Sequence, residues 1–221
     1  MRVLSAGAPV SHLRGDVGVI GLGVLDDDNK PLILSCAHVL APRDKVLDPA
    51  ADKDQIVEAP PILNSSNPAN RVGLLKWFIE LEAESLVDAA VAQLDDDVTI
   101  PISVLNGVAI SGLWKAPAND GDFYDRSVWR IDQHGTQIMG NLRQRDSRTV
   151  SLHDGFADVT YKNFILYRAL NSPGDSGGAV IDAATHQLVG IHFGGDGFHE
   201  SWLCEASLIF PALGLKEPNG E

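Results

Sequence analysis

Short apolar and β-branched runs separated by turn-forming residues recur along the whole chain, while helical periodicity is scarce. Many short strands at such intervals are typical of a sandwich or barrels rather than of alternating strands and helices. The first half predicts strands at residues 17–25, 32–36, 55–58, 72–79 and 86–94. The second half predicts strands at residues 107–110, 127–131, 136–142, 149–152, 159–170, 179–182, 188–193 and 201–205.

The two halves meet at an acidic cluster, residues 95–97, which is soon followed by Pro101. Because proline cannot donate to a sheet ladder, this segment suits a connector. We therefore expect one unit at residues 1–96 and a second at residues 97–221. Residues 64–70 and 116–122 carry the small polar residues and prolines of exposed loops. The apolar spacing in residues 206–215 predicts a short closing helix.

The composition is that of an ordinary globular protein, with 221 residues, 44% of them hydrophobic and 21% charged. No apolar run is long enough to predict a membrane span. The formal charge of −13 repels phosphate backbones, so nucleic acid is not expected as a partner. The N-terminus lacks the apolar stretch of a secretory signal, which favours a cytoplasmic location, with secretion as the alternative if a signal peptide had been removed.

Only two cysteines occur, Cys36 and Cys204, and they are far apart in sequence. Secreted proteins that depend on disulfides usually carry more, so we expect two unpaired thiols. The histidines and cysteines also lack the ligand spacing of a zinc site, and neither a metal nor a cofactor is expected.

The strongest local motif is Gly174-Asp175-Ser176-Gly177-Gly178, which is followed by an apolar run. A nucleophilic serine must sit at an exposed bend where a base can reach it and backbone N–H groups face the reacting carbonyl. Glycines can supply that bend through positive φ, and the N–H groups of Gly174 and Ser176 could converge on an oxyanion. The alternative is an ordinary glycine-rich turn.

A histidine and an aspartate complete the candidate chemistry. His38 follows a buried-looking strand that ends in small residues, and an imidazole can accept a hydroxyl proton near neutral pH. Asp88 interrupts an apolar stretch, and a buried carboxylate needs a partner such as a histidine N–H. Taken singly, His38 could be structural and Asp88 could face water at the end of a strand.

Together these segments resemble the chymotrypsin-like serine proteases, in particular the compact microbial trypsin-like branch. The order His38, Asp88, Ser176 is that of the family, as are the motifs Ser-Cys-Ala-His at 35–38, Asp-Ala-Ala-Val at 88–91 and Gly-Asp-Ser-Gly-Gly at 174–178. The resemblance extends over almost the whole chain. It implies an all-β fold of two packed six-stranded antiparallel barrels, with the triad in the cleft between them and a protein or peptide as substrate.

The resemblance also bears on specificity. Residues 190–195, Gly-Ile-His-Phe-Gly-Gly, are similar to the pocket strand of glutamyl endopeptidases and viral chymotrypsin-like cysteine proteases. A histidine at the position of His192 would imply cleavage after Glu or Gln, with a structural His192 as the alternative. The relatives have a hydroxyl residue where this chain has Asn171, and the trypsin-type aspartate is replaced by Leu170. The implied substrate-binding residues are Leu170, Asn171, His192, Phe193 and Gly194.

Activation is expected to differ from that of digestive trypsins, because no Ile-Val-Gly-Gly start is present to pair with Asp175. Either other contacts order the oxyanion loop, or an activating protein partner does so. Two further functions remain open beside a serine endopeptidase. One is a catalytically silent binding module on a protease scaffold, and the other is hydrolysis of small esters.

Overall fold

The structure, a computed structural model, describes residues 1–12, 16–41, 55–58, 71–81, 84–150 and 159–218, with only the backbone described at 55–58. The predicted loop at 64–70 lies outside these residues. The strands are β1 (Arg2–Val3), β2 (Pro9–His12), β3 (Gly18–Val19), β4 (Leu22–Leu25), β5 (Pro31–Ser35), β6 (Gln55–Glu58), β7 (Arg71–Phe78), β8 (Glu84–Ser85), β9 (Ala90–Leu94), β10 (Val98–Thr99), β11 (Val104–Leu105), β12 (Val108–Ala109), β13 (Ser127–Ile131), β14 (Gln137–Val150), β15 (Val159–Arg168), β16 (Ala179–Asp182), β17 (Leu188–Gly195) and β18 (Glu200–Glu205). The described helices are α1 (Ala37–Leu40), α2 (Ala206–Ala212) and one 3-10 turn at Asp120–Asp122.

The first large sheet has the strand order β3-β2-β6-β7-β9-β5-β4. Its two outer members, β3 and β4, are parts of one stretch interrupted at Ile20 and Gly21, so the two ends of the sheet meet and six strands form a ring. The interruption splits the strand predicted at 17–25. Its interior is filled by apolar side chains that are fully buried, among them Val10, Leu22 and Ile33.

The second large sheet has the order β14-β13-β16-β17-β18-β15, and β14 also pairs with β15. These six strands therefore close into a second ring, which removes the exposed edges of the sheet. Strand β8, although it belongs to the first half of the sequence, adds to this sheet by parallel pairing of Thr160 with Glu84. The first half of the chain thus reaches onto the second barrel just before Asp88.

The predicted all-β class is confirmed, and several element bounds are corrected. The strands predicted at 136–142 and 149–152 form the single strand β14, since the polar residues between them pair with β15. The strand predicted at 86–94 begins only at Ala90, and the helix predicted at 206–215 ends at Ala212. Strands β1, β2, β8, β10 and β11 and helix α1 were not predicted.

The connection between the rings consists of short pieces. Strand β10 pairs with β1, and β11 pairs with β12. The segment predicted as a strand at 107–110 contributes only β12, while the loop predicted at 116–122 contains the 3-10 turn. The unit boundary near residue 96 stays a prediction. None of the described helices is long and apolar enough to cross a membrane.

Candidate active site

His38 lies in α1, a single helical turn that follows directly from the inner strand β5. His38 is 9% exposed, so its imidazole lies at the margin of the protein interior. The first N–H groups of a helix have no partners within the helix. Here those of Ala37 and His38 donate to Asp88 Oδ1, at 2.7 and 3.2 Å. A carboxylate from a remote segment therefore fixes the backbone that carries the imidazole.

Asp88 is fully buried and accepts hydrogen bonds at both of its oxygens. Besides the two backbone bonds at Oδ1, Oδ2 lies 2.6 Å from His38 Nδ1 and accepts a 2.9 Å bond from the Tyr161 hydroxyl. The backbone N–H of Asp88 donates to Cys204 Sγ at 3.3 Å. This set of donors offsets the cost of burying the charge and leaves the carboxylate little freedom to move.

The electrostatics of the pair favour its charged form. Burial opposes protonation of His38, but the Asp88 charge and hydrogen bond outweigh burial and raise the pKa of His38 above its ordinary value. Burial likewise opposes ionisation of Asp88, yet His38 and the Tyr161 hydroxyl lower its pKa. Because Nδ1 is held against Asp88, Nε2 is the nitrogen left to accept a proton from a substrate-side group.

Ser176 occupies a tight turn between β15 and β16. Gly174 and Gly177 on either side have φ values of +97° and +98°, in the region that favours glycine. The Ser176 carbonyl accepts the Val19 N–H at 2.8 Å, and the Ser176 hydroxyl donates to the Phe193 carbonyl at 3.3 Å. The nucleophile candidate is therefore bonded to a strand of each barrel.

The turn also leaves two donors available. Within the described part of the chain, the N–H groups of Gly174 and Ser176 have no acceptor, whereas that of Gly177 donates to the His192 carbonyl at 2.8 Å. These two free groups are the pair predicted to bind an oxyanion. Of the glycines expected at positive φ, Gly178 does not adopt it, since its own carbonyl and amide lie in a turn closed by Asp175 and His192.

Shared contacts bring the segments of His38 and Ser176 together. The carbonyl of His192 accepts both the Gly177 N–H and the Cys36 thiol, the latter at 3.2 Å. The hydroxyl of Ser176 is bonded to Phe193 rather than to His38. The structure thus joins His38 to Asp88 directly and holds Ser176 in the adjoining turn.

Asp175, which immediately precedes the nucleophile candidate, is ordered by an internal cation. Arg130 on β13 is fully buried and donates from Nη2 to Asp175 Oδ2 at 2.7 Å and to the Leu170 carbonyl at 2.8 Å. The backbone N–H groups of Ser172 and Gln133 also donate to the Asp175 carboxylate. Of the two expectations for the oxyanion loop, ordering by other contacts is the one that this geometry supports.

His192 on β17 is 2% exposed, and its Nδ1 lies 2.9 Å from the Tyr167 hydroxyl. Burial, together with the charges of Arg130 and His38, lowers the pKa of His192 well below its ordinary value. Burial raises the pKa of Tyr167, while the adjacent Arg130 guanidinium opposes that rise. Burial therefore favours the neutral form of His192. If Nδ1 accepts the Tyr167 hydroxyl, the proton of the neutral ring is on Nε2.

The other predicted pocket residues are arranged differently from one another. The Asn171 amide donates to the Glu200 carbonyl at 3.0 Å and accepts from Gly197 N–H at 3.0 Å, so it ties two segments of the chain together. Leu170 is 57% exposed. Phe193 offers its carbonyl to Ser176, and the next residue, Gly194, continues the strand beside Trp202.

The two cysteines are free and buried, as expected from the sequence. Possible ligand atoms of Cys36, His38 and Asp88 lie within 4.8 Å of one another. Burial raises the pKa of the Cys36 thiol well above its ordinary value, and the thiol donates to a carbonyl. Metal ligands must be deprotonated, and the Asp88 oxygens are already occupied, so this cluster fits proton transfer better than metal binding.

Three residues of the site were missed by the sequence reasoning, namely Tyr161, Tyr167 and Arg130. Arg130 stands in an apolar strand, Val-Trp-Arg-Ile, and a charge within an apolar run is the signal that identified Asp88. That signal could have found it. The tyrosines carry no comparable signal, because their partners are set by the closure of the second barrel.

Fold and site together define a class of protein, a chymotrypsin-like serine endopeptidase. The chain belongs to the trypsin-like peptidase family, whose domain model matches residues 21–191. A search of curated protein sequences finds no match.

Solved structures resemble the chain over nearly its whole length. A protease from Nocardiopsis is 18% identical and covers 98% of this chain and 100% of its own, with a TM-score of 0.67. Thermobifida fusca protease A is 17% identical, covers 99% and 100%, and has a TM-score of 0.66. A glutamic acid specific serine protease is 16% identical, covers 96% and 98%, and has a TM-score of 0.66. At these identities the likeness concerns the fold.

Proposed function

We propose that the chain hydrolyses peptide bonds through an acyl-enzyme, with Ser176 as nucleophile, His38 as general base and Asp88 as the residue that orients the base. The observation that carries this proposal is the contact of His38 Nδ1 with Asp88 Oδ2, which turns Nε2 into the free acceptor. We infer that the Ser176 hydroxyl turns from the Phe193 carbonyl toward Nε2 when a substrate carbonyl approaches.

The proposed reaction has two stages. The Ser176 oxygen attacks the peptide carbonyl, its proton passes to His38 Nε2, and the N–H groups of Gly174 and Ser176 stabilise the oxyanion. A donor of this kind contributes about 10²–10³-fold to kcat in a serine protease. The imidazolium then protonates the leaving amine, and a water activated by the neutral imidazole hydrolyses the acyl-enzyme and restores the serine.

For the residue before the scissile bond we propose glutamine or glutamate, recognised by His192. A neutral imidazole with its proton on Nε2 is a donor for an amide or carboxylate oxygen. A glutamic acid specific relative uses a histidine triad in substrate binding. Here Tyr167 and Arg130 stand behind the histidine instead, and they support a neutral donor, which suits an amide oxygen as well as a carboxylate.

The catalytic proposal is tested with a fluorophosphonate probe and a peptide library. We expect the wild type to be labelled at Ser176 and to cleave peptides, and Ser176→Ala to do neither while keeping its melting temperature. Ser172→Ala is the matched control, because Ser172 is an exposed serine of the same loop whose side chain has no described partner. Cleavage that persists in Ser176→Ala would overturn the proposal.

The same assays separate the alternative functions. Absence of labelling in the wild type would favour a binding module, and labelling with turnover of small esters but of no peptide would favour an esterase.

The specificity proposal is tested with peptides that differ only in the residue before the scissile bond. They are compared in wild type, His192→Ala and the exposed control His134→Ala. We expect only His192→Ala to lose preference for Gln and Glu, by about tenfold or more. An equal loss for every peptide would assign His192 a structural role.

A further inference from the structure

Tyr161 belongs to β15 of the second barrel, yet its hydroxyl reaches the carboxylate of the first half of the chain. The side chain is fully buried, and its hydroxyl donates to Asp88 Oδ2 at 2.9 Å, beside the bond to His38 Nδ1. Burial and the neighbouring Asp88 charge raise the pKa of Tyr161 far above its ordinary value. The hydroxyl therefore keeps its proton and acts as a permanent donor.

The ring of Tyr161 also contacts the strand that holds Ser176. It packs on Phe193 with ring centroids 4.4 Å apart and planes inclined by 33°. Phe164 meets the same Phe193 ring edge-on at 5.6 Å. The carbonyl of Phe193 is the acceptor of the Ser176 hydroxyl. Tyr161 thus bonds to Asp88 through its hydroxyl, and through its ring it packs on Phe193, whose carbonyl accepts the Ser176 hydroxyl.

Among the described residues, the other side chains with a thiol or imidazole near His38 and Asp88 are neutral. Cys36, the residue before α1, and Cys204 on β18 both interact with Asp88, and they stay thiols because burial raises the pKa of each. His192 faces His38 from β17 and is uncharged, since burial lowers its pKa. Asp88 is therefore the charge that acts on the pKa of His38, and a change in the charge density of Asp88 changes that pKa.

We propose that Tyr161 is a positioning residue that sets the basicity of His38 by sharing the charge of Asp88. This inference rests on the proposed function. The hydroxyl withdraws electron density from Oδ2, so that Asp88 orients the imidazole without holding its proton too strongly. Loss of the hydroxyl leaves Oδ2 with a single partner, strengthens its attraction for the imidazolium, and shifts His38 toward its protonated and inactive form.

The test compares Tyr161→Phe with the matched control Tyr124→Phe, in which an exposed tyrosine without a described hydroxyl partner is changed. We expect Tyr161→Phe to lower kcat about tenfold with KM within a factor of two. The acid limb of its pH profile should move to higher pH. Tyr124→Phe should resemble the wild type. A lower melting temperature with an unmoved acid limb would reduce Tyr161 to a structural residue and overturn the proposal.

An independent readout does not depend on turnover. In a Ser176→Ala background, the His38 pKa is titrated by NMR of labelled histidine, with and without Tyr161→Phe. We expect the pKa to rise by roughly half a unit in the double variant. Site-specific incorporation of 3-fluorotyrosine at Tyr161, a more acidic donor, should move it down. An unchanged His38 pKa in both would overturn the proposal, whereas a wild type that neither labels nor cleaves would overturn only the proposed function.

Discussion

Nη2 of Arg130 lies 2.7 Å from Oδ2 of Asp175, inside the second barrel and one residue before Ser176. Both side chains are buried, with Arg130 fully excluded from solvent and Asp175 3% exposed. A charge in this position requires a counter-charge. Here it comes from the first strand of the second ring, so the turn that carries Ser176 is held by a residue already present within the folded barrel.

Loss of the Arg130 side chain should disable the enzyme and weaken the fold. Arg130→Gln leaves the Asp175 carboxylate buried without a cation, which costs about 3–5 kcal/mol of unfolding free energy. We expect slower labelling of Ser176 as well, because the Gly174 turn loses its anchor. Urea denaturation and probe labelling measure the two effects.

The matched control for that prediction is Arg148→Gln. Arg148 is 40% exposed and pairs with Asp146 and Glu200 at the surface, so its removal should cost under about 1 kcal/mol. A second change, Asp175→Asn in the Arg130→Gln variant, should recover part of the lost stability, since it removes the unpaired charge. An additive effect of the two changes would contradict the buried pair.

The pH dependence of activity follows from the pair of His38 and Asp88. The proposed base, His38, works when its imidazole is neutral, and its pKa is raised above 6.5. The acid limb of kcat/KM should therefore have its midpoint above pH 6.5. A midpoint at or below that value would mean that Asp88 does not stabilise the imidazolium.

The stability of the fold should respond in the opposite sense. Because folding raises the pKa of His38, the stabilisation from its protonated form is fully present below the unfolded value of 6.5 and is lost as the pH rises through the folded pKa. Unfolding of Ser176→Ala, followed by urea denaturation between pH 5 and 9, measures this. The contribution of His38 is the difference between this profile and that of a variant that also carries Asp88→Asn, because buried His192 and the two thiols affect both profiles.

The turn around Ser176 should tolerate no side chain at Gly177. A Cβ there would overlap the Ser35 hydroxyl and the Val19 carbonyl, in addition to the strain of φ +98°. We expect Gly177→Ala to abolish soluble expression or activity. Gly135→Ala is the control, because Gly135 has φ +77° but nothing within 4 Å, so it pays only the backbone strain of about 1 kcal/mol. Similar behaviour of the two variants would contradict the packed turn.

The buried thiols should be inert while the neighbouring serine is reactive. Cys36 and Cys204 are fully buried and their pKa values are raised. We expect no reaction with a disulfide reagent at pH 8 in the native protein, although a fluorophosphonate labels Ser176 in the same sample. Guanidinium should then expose two thiols. Rapid reaction of either cysteine in the native state would show local opening at Asp88.

The sequence was informative where chemistry is encoded locally. Three signals can be read from adjacent positions in the sequence. They are the glycines around Ser176, the small residues before His38, and the charge of Asp88 within an apolar run. The contacts of Tyr161 and Tyr167 do not, because they depend on which strands become neighbours when the second ring closes. A tyrosine in an apolar strand has the same pattern whether its hydroxyl meets a carboxylate or an imidazole.

Strand bounds failed for a related reason. Residues 143–148 are largely polar and their pattern predicts no strand, yet they belong to β14 and pair with β15 as an arm that is partly open on both faces. Hydrophobic alternation reports burial, and an exposed ladder has little of it. Conversely, residues 86–89 looked like a strand because they are apolar, but their backbone turns so that Asp88 can meet α1.

The bond from Val19 N–H to the Ser176 carbonyl has a consequence for how the enzyme fails. It ties Ser176, the proposed nucleophile, to a strand of the other ring, while His38 and Asp88 are bonded to each other. A small separation of the rings would misalign the serine before either ring lost a strand. Turnover should therefore report the contact between the two rings more sensitively than circular dichroism does. Mild denaturant should inactivate the enzyme while its secondary structure is still intact.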